Sequence, residues 1–347
     1  MIRGTLVKLV MVLLVSLVSA VANAMVTSSQ FPWPGGMRAT TAETPAESGL
    51  TLRDVGGHDE IKDELHRCVI APLRYPHLFY GGPRAVQPPR GVLLHGPPGT
   101  GKTMLATATA SEAGVPMIRV HAAAIESKWY GETPNRLRRI FEEARRRPSI
   151  IFFDELDGIG RTRSEAEQSC TYTLKCELLR QMDALGDAPV VVLACTNCPR
   201  SLDPALRRRF ARSLDVRPPR TADERLSVLR ALVRNDETGG DADGSVLSSV
   251  AERSHGRTGS DLASLYQSTS ARRMRNVSER VLDKVRDGHE LLQRLGPLSL
   301  HDWEETAKNT GWPLAPSPKP PLHPPQASQE SDTESTTPPP PKTARSA

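Results

Sequence analysis

Short apolar runs alternate with longer stretches in which hydrophobic residues recur every three or four positions. The apolar runs, which predict strands, span residues 92–95, 117–120, 150–153, 190–196 and 214–216. The stretches between them, which predict helices, span residues 103–113, 134–147 and 172–185. Strands that alternate with helices indicate an α/β fold in which helices flank a parallel sheet.

Beyond about residue 220 the pattern is helical throughout. The predicted helices span residues 224–235, 245–254, 260–276, 278–295 and 299–309. Because no further strand interrupts them, they predict a second, smaller helical domain. The chain is therefore expected to combine a large α/β domain, residues 52–218, with a small helical domain, residues 219–312.

The two ends of the chain differ in composition from this globular part. Residues 27–51 are rich in Ser, Thr, Pro and Gly and predict a linker. Residues 313–347 include the proline run Pro338–Pro341 and few apolar side chains. Such a tail buries too little surface to offset the entropy lost on ordering, so we expect it to be disordered.

Charge and cysteine content argue against two classes of protein. The net charge of +5 is dispersed, and the basic clusters at 145–147 and 207–209 lie in segments with other predicted roles. No aromatic platform for bases accompanies them, so we expect no nucleic-acid partner. The five cysteines are scattered, and Cys195-x-x-Cys198 has no second pair at ligand spacing. Neither a disulfide framework nor a metal site is expected.

A glycine-rich loop follows the first predicted strand and leads into a helix. Its sequence is Gly96-Pro97-Pro98-Gly99-Thr100-Gly101-Lys102-Thr103. Glycines let successive backbone N–H groups face phosphate oxygens, and the positive end of the following helix adds to that field. Lys102 is expected to reach the outer phosphates of ATP, and the Thr103 hydroxyl to bind Mg²⁺.

Polar residues end two other predicted strands. Asp154 and Glu155 follow the apolar run 150–153, and Asn197 follows the run 190–196. We expect Asp154 to orient Mg²⁺ and Glu155 to act as the general base for the attacking water. Because the tips of neighbouring parallel strands lie close together, Asn197 is expected to hold that water near the γ-phosphate.

Three consecutive arginines, Arg207–Arg209, follow the segment Leu202–Leu206. Guanidinium groups suit the charge that develops on a transferring phosphoryl group. They predict arginine fingers, Arg208 and Arg209, that act on the site of a neighbouring subunit. A solvated basic helix end is the alternative.

The first 26 residues contain an uncharged hydrophobic segment, residues 9–24, preceded by Arg3 and Lys8. This pattern fits a cleaved signal peptide that ends at Ala22-Asn23-Ala24, or a short membrane anchor, which needs about 20 apolar residues. We favour a retained anchor because an ATP-hydrolysing domain needs the ATP that the secretory exterior lacks.

The order of these motifs resembles the AAA ATPase core over roughly residues 52–312. Asp54-Val55-Gly56-Gly57 is similar to the segment that contacts adenine in that family, and residues 256–262 are similar to the turn that opens the lid helix. The resemblance implies further nucleotide contacts through Val55, Gly56, Gly57, Met104, Gly259 and Ser260. It also implies assembly into a homo-hexamer.

Within this family, residues 69–73, 77–79 and 87–94 resemble the membrane-anchored extractases of the mitochondrial outer membrane. Those proteins remove mislocalised tail-anchored proteins, with the ATPase domain facing the cytosol. Ser127–Glu132 is similar to their first pore loop, in which Lys128, Trp129 and Tyr130 would grip a threaded chain. Aromatic side chains suit this role because they intercalate between side chains of varied sequence.

Three other functions remain as alternatives. A microtubule-severing ATPase of the katanin or spastin type usually carries a basic linker, whereas residues 27–49 contain one basic residue, Arg38. A non-hydrolysing ATP-bound scaffold is disfavoured because Lys102, Asp154 and Glu155 are all present. An unfoldase at the inner mitochondrial membrane or the endoplasmic reticulum would share the same motifs.

Overall fold

A computed structural model describes residues 42–43, 49–80, 87–121, 133–160, 169–234, 244–275, 277, 296–311 and 313–315. Its strands are β1 (Ala42–Glu43), β2 (Gly91–His95), β3 (Met117–His121), β4 (Ser149–Asp154), β5 (Val190–Thr196) and β6 (Arg212–Asp215). Its helices are α1 (Asp59–Leu65), α2 (Ala71–Arg74), α3 (Pro76–Phe79), α4 (Lys102–Ala113), α5 (Thr133–Ala144), α6 (Asp157–Gly160), α7 (Ser169–Asp183), α8 (Pro204–Arg209), α9 (Ala222–Arg234), α10 (Ser245–Arg253), α11 (Gly259–Arg275) and α12 (Leu300–Asn309). A π-helical turn, His66–Ile70, joins α1 to α2.

The strands form one sheet in the order β1-β3-β4-β5-β2-β6. Strands β2 to β6 are parallel, as the alternation of strands and helices predicts, and β1 pairs antiparallel with β3. The strand β1 falls inside the predicted linker and is too short to show a periodicity of its own. The last predicted strand, 214–216, instead spans Arg212–Asp215, because pairing with β2 extends it toward the amino end.

Consecutive side chains of each central strand face opposite sides of the sheet. In β4, Ile151 and Phe153 belong to one apolar cluster, while Ile150 and Phe152 belong to the other. Helices α5 and α7 supply the first cluster, and α4 with the segment from α1 to α2 supplies the second. This two-sided burial explains why the strands read as continuous apolar runs.

A third apolar cluster forms where α9, α10, α11 and α12 pack together. At its centre Trp303 is fully buried and stacks on Tyr266 with ring centroids 5.9 Å apart. The buried Arg225 donates from Nε to the Ala251 carbonyl oxygen at 2.7 Å and so joins α9 to α10. All described residues belong to one compact unit, Met1–Ala315, and the boundary at residue 218 between two domains stays a prediction.

Several sequence-based expectations concern residues outside the described ranges. They are the hydrophobic segment 1–26, the pore-loop residues Lys128, Trp129 and Tyr130, the helix 278–295 and nearly all of the tail. Within the described ranges, no helix combines the length and the apolar character needed to cross a bilayer.

Candidate nucleotide site

The glycine-rich loop joins the end of β2 to the start of α4, and three of its glycines have left-handed backbone angles. The φ values are 144° at Gly96, 74° at Gly99 and 91° at Gly101. A Cβ atom on Gly96 would lie 2.1 Å from the Val216 carbonyl oxygen, so this position has no room for a side chain. The loop therefore needs glycine at these positions to follow its observed path.

Lys102 is buried at the first turn of α4. Its Nζ donates hydrogen bonds to the carbonyl oxygens of Gly96 at 2.9 Å and of Pro97 at 2.7 Å. Burial lowers the pKa of the Lys102 ammonium, and the nearby Cys195, Asp157 and Asp154 act in the opposite direction. The lysine thus lies across the loop that it would help to close around phosphate.

Thr103 and Asp154 lie side by side, although they are 51 residues apart in the chain. The Thr103 hydroxyl donates to Asp154, with distances of 3.3 Å to Oδ2 and 3.4 Å to Oδ1. A hydroxyl and a carboxylate are the oxygen ligands that Mg²⁺ uses beside a phosphate chain. These two residues therefore fit the Mg²⁺ that the sequence predicts.

Glu155 follows Asp154 in a left-handed backbone conformation, with φ of 54°, which is uncommon outside glycine. The next residue, Leu156, donates its backbone N–H to the Cys195 carbonyl oxygen at 2.8 Å and so joins the turn to β5. This tight turn leaves the Glu155 side chain exposed beside Asp154. Strain of this kind, held by neighbouring structure, is typical of functional positions.

Asn197 follows β5, and β5 pairs directly with β2, the strand before the loop. The preceding Thr196 is buried, donates its hydroxyl to Asp157 and accepts a hydrogen bond from the Cys198 backbone N–H at 3.0 Å. These bonds fix the backbone next to Asn197. The exposed Asn197 side chain therefore lies at the same sheet edge as Asp154 and Glu155.

One cavity of about 490 Å³ brings most of these groups together. The predicted site residues that line it are Val55, Gly56, Pro98, Gly99, Thr100, Gly101, Lys102, Thr103, Met104, Asp154, Glu155, Asn197, Gly259 and Ser260. Gly57 lies in the wall of a neighbouring cleft instead, and Gly96 and Pro97 support the loop from behind.

The opposite end of this cavity is apolar and comes from helices α9 and α11. Its lining includes Val228, Ala231, Leu232 and Ala263, which together with Val55 suit the flat face of a base. Sequence reasoning missed these α9 residues because the matching lid motif covers only residues 256–262. The apolar face of a predicted helix beside a glycine-rich segment is the signal that points to them.

The segment 55–57 reaches this end only because Gly56 has no side chain. A Cβ atom there would lie 2.3 Å from the Val228 Cα and 2.6 Å from the Ser227 carbonyl oxygen. The backbone N–H of Gly57 donates to the Ser227 hydroxyl at 2.9 Å. The pair of glycines therefore packs the segment 55–57 against α9, the first of the four helices, α9 to α12, that form the lid.

The lid also contacts the glycine-rich loop directly. The Ser260 backbone N–H donates to the Gly99 carbonyl oxygen at 2.9 Å, at the first turn of α11. A Cβ on Gly99 would lie 3.0 Å from the Ser260 Cβ. Both sides of the cavity thus meet at Gly99, so lid position and loop position are coupled.

His58 is a lining residue for which the sequence holds no motif. Its backbone is left-handed, with φ of 59°, and its side chain lies beside the Thr100 backbone. Burial lowers the pKa of the His58 imidazole, and Thr100 and Glu224 act in the opposite direction. His58 therefore joins the lining of this cavity as a neutral group at neutral pH.

The three arginines lie on α8, outside the lining of this cavity. Arg209 forms an ion pair with Asp183 at 2.8 Å, which lowers the pKa of that carboxyl, whereas Arg208 is exposed. At the other end of α8, Asp203 caps the helix by accepting from the Ala205 N–H at 2.8 Å, and buried Lys175 lies 3.6 Å from Asp203. Both ends of α8 are thus held against α7.

Comparison with known proteins agrees with this geometry. Residues 92–218 match the family described as "ATPase family associated with various cellular activities (AAA)". The chain is 40% identical to Protein SAV of Sulfolobus acidocaldarius over 250 residues, which make up 70% of this chain and 31% of that protein. The chain therefore carries an AAA ATPase domain, and this domain marks it as an ATPase. It spans about a third of the length of that curated relative.

Proposed function

We propose that the chain is an ATP-driven protein translocase that works as a homo-hexamer and extracts tail-anchored proteins from the mitochondrial outer membrane. The observation that carries the ATPase part is the convergence of Lys102, the Thr103–Asp154 pair and Glu155 on one cavity. The choice of substrate is supported by the resemblance to the extractases, which covers residues 69–73, 77–79, 87–94 and 127–132. The uncharged segment 9–24 supports a membrane anchor, with the ATPase domain facing the cytosol.

Each group of residues in the cavity would have a separate role in ATP hydrolysis. Loop N–H groups and Lys102 would bind the phosphates, and Thr103 and Asp154 would hold Mg²⁺, which offsets phosphate charge. Glu155 would take the proton of the attacking water, and the Asn197 amide would orient that water. The base would lie between Val55 and the apolar residues of α9.

Arg208 would complete the site of a neighbouring subunit. It is exposed on a helix held at both ends against α7, and it does not line the cavity of its own chain. Arg209 already forms an ion pair with Asp183, so it would have to break that ion pair before it could bind a phosphate oxygen. Of the two predicted fingers, Arg208 is therefore the more accessible.

Complementation between two inactive chains tests the shared site. Arg208→Ala and Glu155→Gln should each abolish most ATP turnover, because an arginine finger contributes about 10³–10⁵-fold and a general base about 10²–10⁴-fold. Mixed rings should regain turnover, since an intact Glu155 then meets an intact Arg208 from its neighbour. Arg147→Ala, which removes an exposed arginine from another surface, is the control. A mixture that stays inactive would show that Arg208 does not act across subunits.

Extraction itself needs a membrane assay. Full-length chain in vesicles of outer-membrane lipid composition should release a fluorescent tail-anchored protein when ATP is added, and Trp129→Ala should reduce release while leaving basal turnover intact. Release without ATP hydrolysis, or no release by a chain with active turnover, would contradict this function. Cellular imaging of the full chain beside one lacking residues 1–25 tests the mitochondrial location and the anchor together.

A further inference from the structure

A second cleft lies on the outer side of the wall that borders the adenine end. It has a volume of about 380 Å³ and lies between the segment 53–62 and helix α9. Four cationic side chains line it, from Arg53, Lys62, Arg230 and Arg234, against one carboxylate, from Asp223. The neighbouring cleft has the opposite balance, because five carboxylates line it with two arginines, Arg217 and Arg220.

The four cations differ in how they are paired. Within the described part of the chain, neither Arg53 nor Arg230 donates a side-chain hydrogen bond or joins an ion pair. Lys62 pairs with the exposed Asp59 at 3.2 Å, and Arg234 donates to the Arg53 carbonyl oxygen at 3.4 Å. Four cations that face one cleft against a single lining carboxylate, Asp223, raise the local positive potential and favour anion binding.

We propose that Arg53, Lys62, Arg230 and Arg234 form a binding site for small phosphorylated anions, separate from the glycine-rich loop. Guanidinium groups bind phosphate through paired, charge-assisted hydrogen bonds, which an ammonium group does not provide. The volume suits a ligand with one or two phosphate groups rather than an extended polymer. Arg53 and Arg230, which have no side-chain partner among the described residues, would supply the main contacts.

Occupancy of this cleft would act on the nucleotide cavity. Val55, Gly56 and Ala231 line both spaces, so they form a shared wall only one layer of residues thick. An anion that draws Arg53 and Arg230 together would move the segment 55–57 relative to α9. By linkage, an anion that changes ATP affinity must have its own affinity changed by ATP by the same factor.

Calorimetric titration of the full chain with inorganic pyrophosphate tests this site. Because pyrophosphate also suits the glycine-rich loop, the titrations use Lys102→Ala as the starting chain. Binding should persist there and should weaken about tenfold or more when Arg53→Ala and Arg230→Ala are added, since each removes hydrogen bonds between charged groups. Adding Arg147→Ala instead should leave the affinity unchanged. Thermal unfolding checks that each variant is folded.

Three results would overturn the proposal. If Lys102→Ala alone abolishes pyrophosphate binding, or if the two arginine changes do not weaken it, the cleft is not an anion site. The acids Asp236, Glu237, Asp241 and Asp243 follow α9 in the sequence and offer an internal competitor. If pyrophosphate binds only after these four acids are changed to amides, the chain's own carboxylates and not a separate ligand satisfy the arginines. The titrations need no ATP turnover, so they are independent of the proposed function.

Discussion

The phosphate end and the base end of the nucleotide cavity are built in different ways. At the phosphate end, the loop follows β2, Asp154 ends β4 and Asn197 follows β5. Backbone hydrogen bonds set the register of these three strands. At the base end, the segment 55–57 meets α9 through a contact between residues 170 positions apart, Gly57 and Ser227. The phosphate end is therefore held by the sheet, whereas the base end depends on where the lid lies.

This difference predicts that changes at the phosphate end alter catalysis or phosphate binding, while changes at the base end alter stability. The largest effect is expected for Glu155→Gln. ATP turnover should fall about 10²–10⁴-fold because the general base is lost, while nucleotide binding is kept. Phosphate release and equilibrium binding measure the two quantities. Glu142→Gln, on an exposed carboxylate of α5, is the control, and wild-type turnover by Glu155→Gln would remove Glu155 from the mechanism.

Lys102→Ala should come next, with an effect on binding. Loss of charge-assisted hydrogen bonds to phosphate should weaken ATP binding by about 1.5–3 kcal/mol. Fluorescent nucleotide titration measures this loss. Adenosine, which has no phosphate, should bind both chains equally. If adenosine binding falls as much as ATP binding, the lysine supports the loop rather than the phosphates.

Gly56→Ala tests the base end. The added Cβ would lie 2.3 Å from a backbone atom of α9, so the lid must shift, at a cost of about 1–3 kcal/mol in unfolding free energy. Denaturant unfolding measures the cost. Gly259→Ala is a matched control on the same cavity, because its Cβ would have its nearest contact at 3.5 Å. Equal stability of Gly56→Ala and wild type would show that the segment 55–57 moves freely against α9.

The smallest effect is expected from His58, through pH. Burial lowers its pKa below the usual 6.5, so the unfolded chain takes up a proton on acidification before the folded chain does. The unfolding free energy should therefore be unaffected by His58 above pH 6.5 and should decline as pH falls below it. His58→Asn suits the left-handed backbone and removes the ring, so the decline should be smaller. Urea unfolding at about pH 7.5 and about pH 5.5 measures it. If the unfolding free energy of His58→Asn declines as much as that of the wild type, His58 is not the source of the pH dependence. His77→Asn, which changes an exposed histidine, is the control.

The same contrast explains what could be predicted from the sequence. The predicted strands 92–95, 117–120, 150–153 and 190–196 match β2 to β5 to within one residue at each end, because strands buried on both faces are continuous apolar runs. Once these strands are placed, the positions of Asp154, Glu155 and Asn197 at the carboxyl ends of β4 and β5 follow. Helices α5 and α7 were predicted within three residues of their observed ends.

The base end could be predicted only in part. The His58 imidazole reaches the cavity through a left-handed turn that no residue pattern encodes. Helix α1, the π-helical turn after it and α2 carry one buried residue each, Leu65, Val69 and Leu73, at a spacing of four. This helical signal is one that a search for motifs passes over. Arg53 and Arg230 face one cleft only because the lid folds back on the segment 53–57, a contact absent from local sequence.

The bonds from Lys102 to the Gly96 and Pro97 carbonyl oxygens make ligand capture an exchange reaction. An incoming group displaces the two carbonyl oxygens only if it binds the Lys102 ammonium more strongly than they do. A charged phosphate oxygen meets this condition, whereas a hydroxyl or a neutral amide does not. The loop can thus discriminate by charge before it discriminates by shape. Release is aided by the same two carbonyls, because they can take the lysine back as phosphate departs.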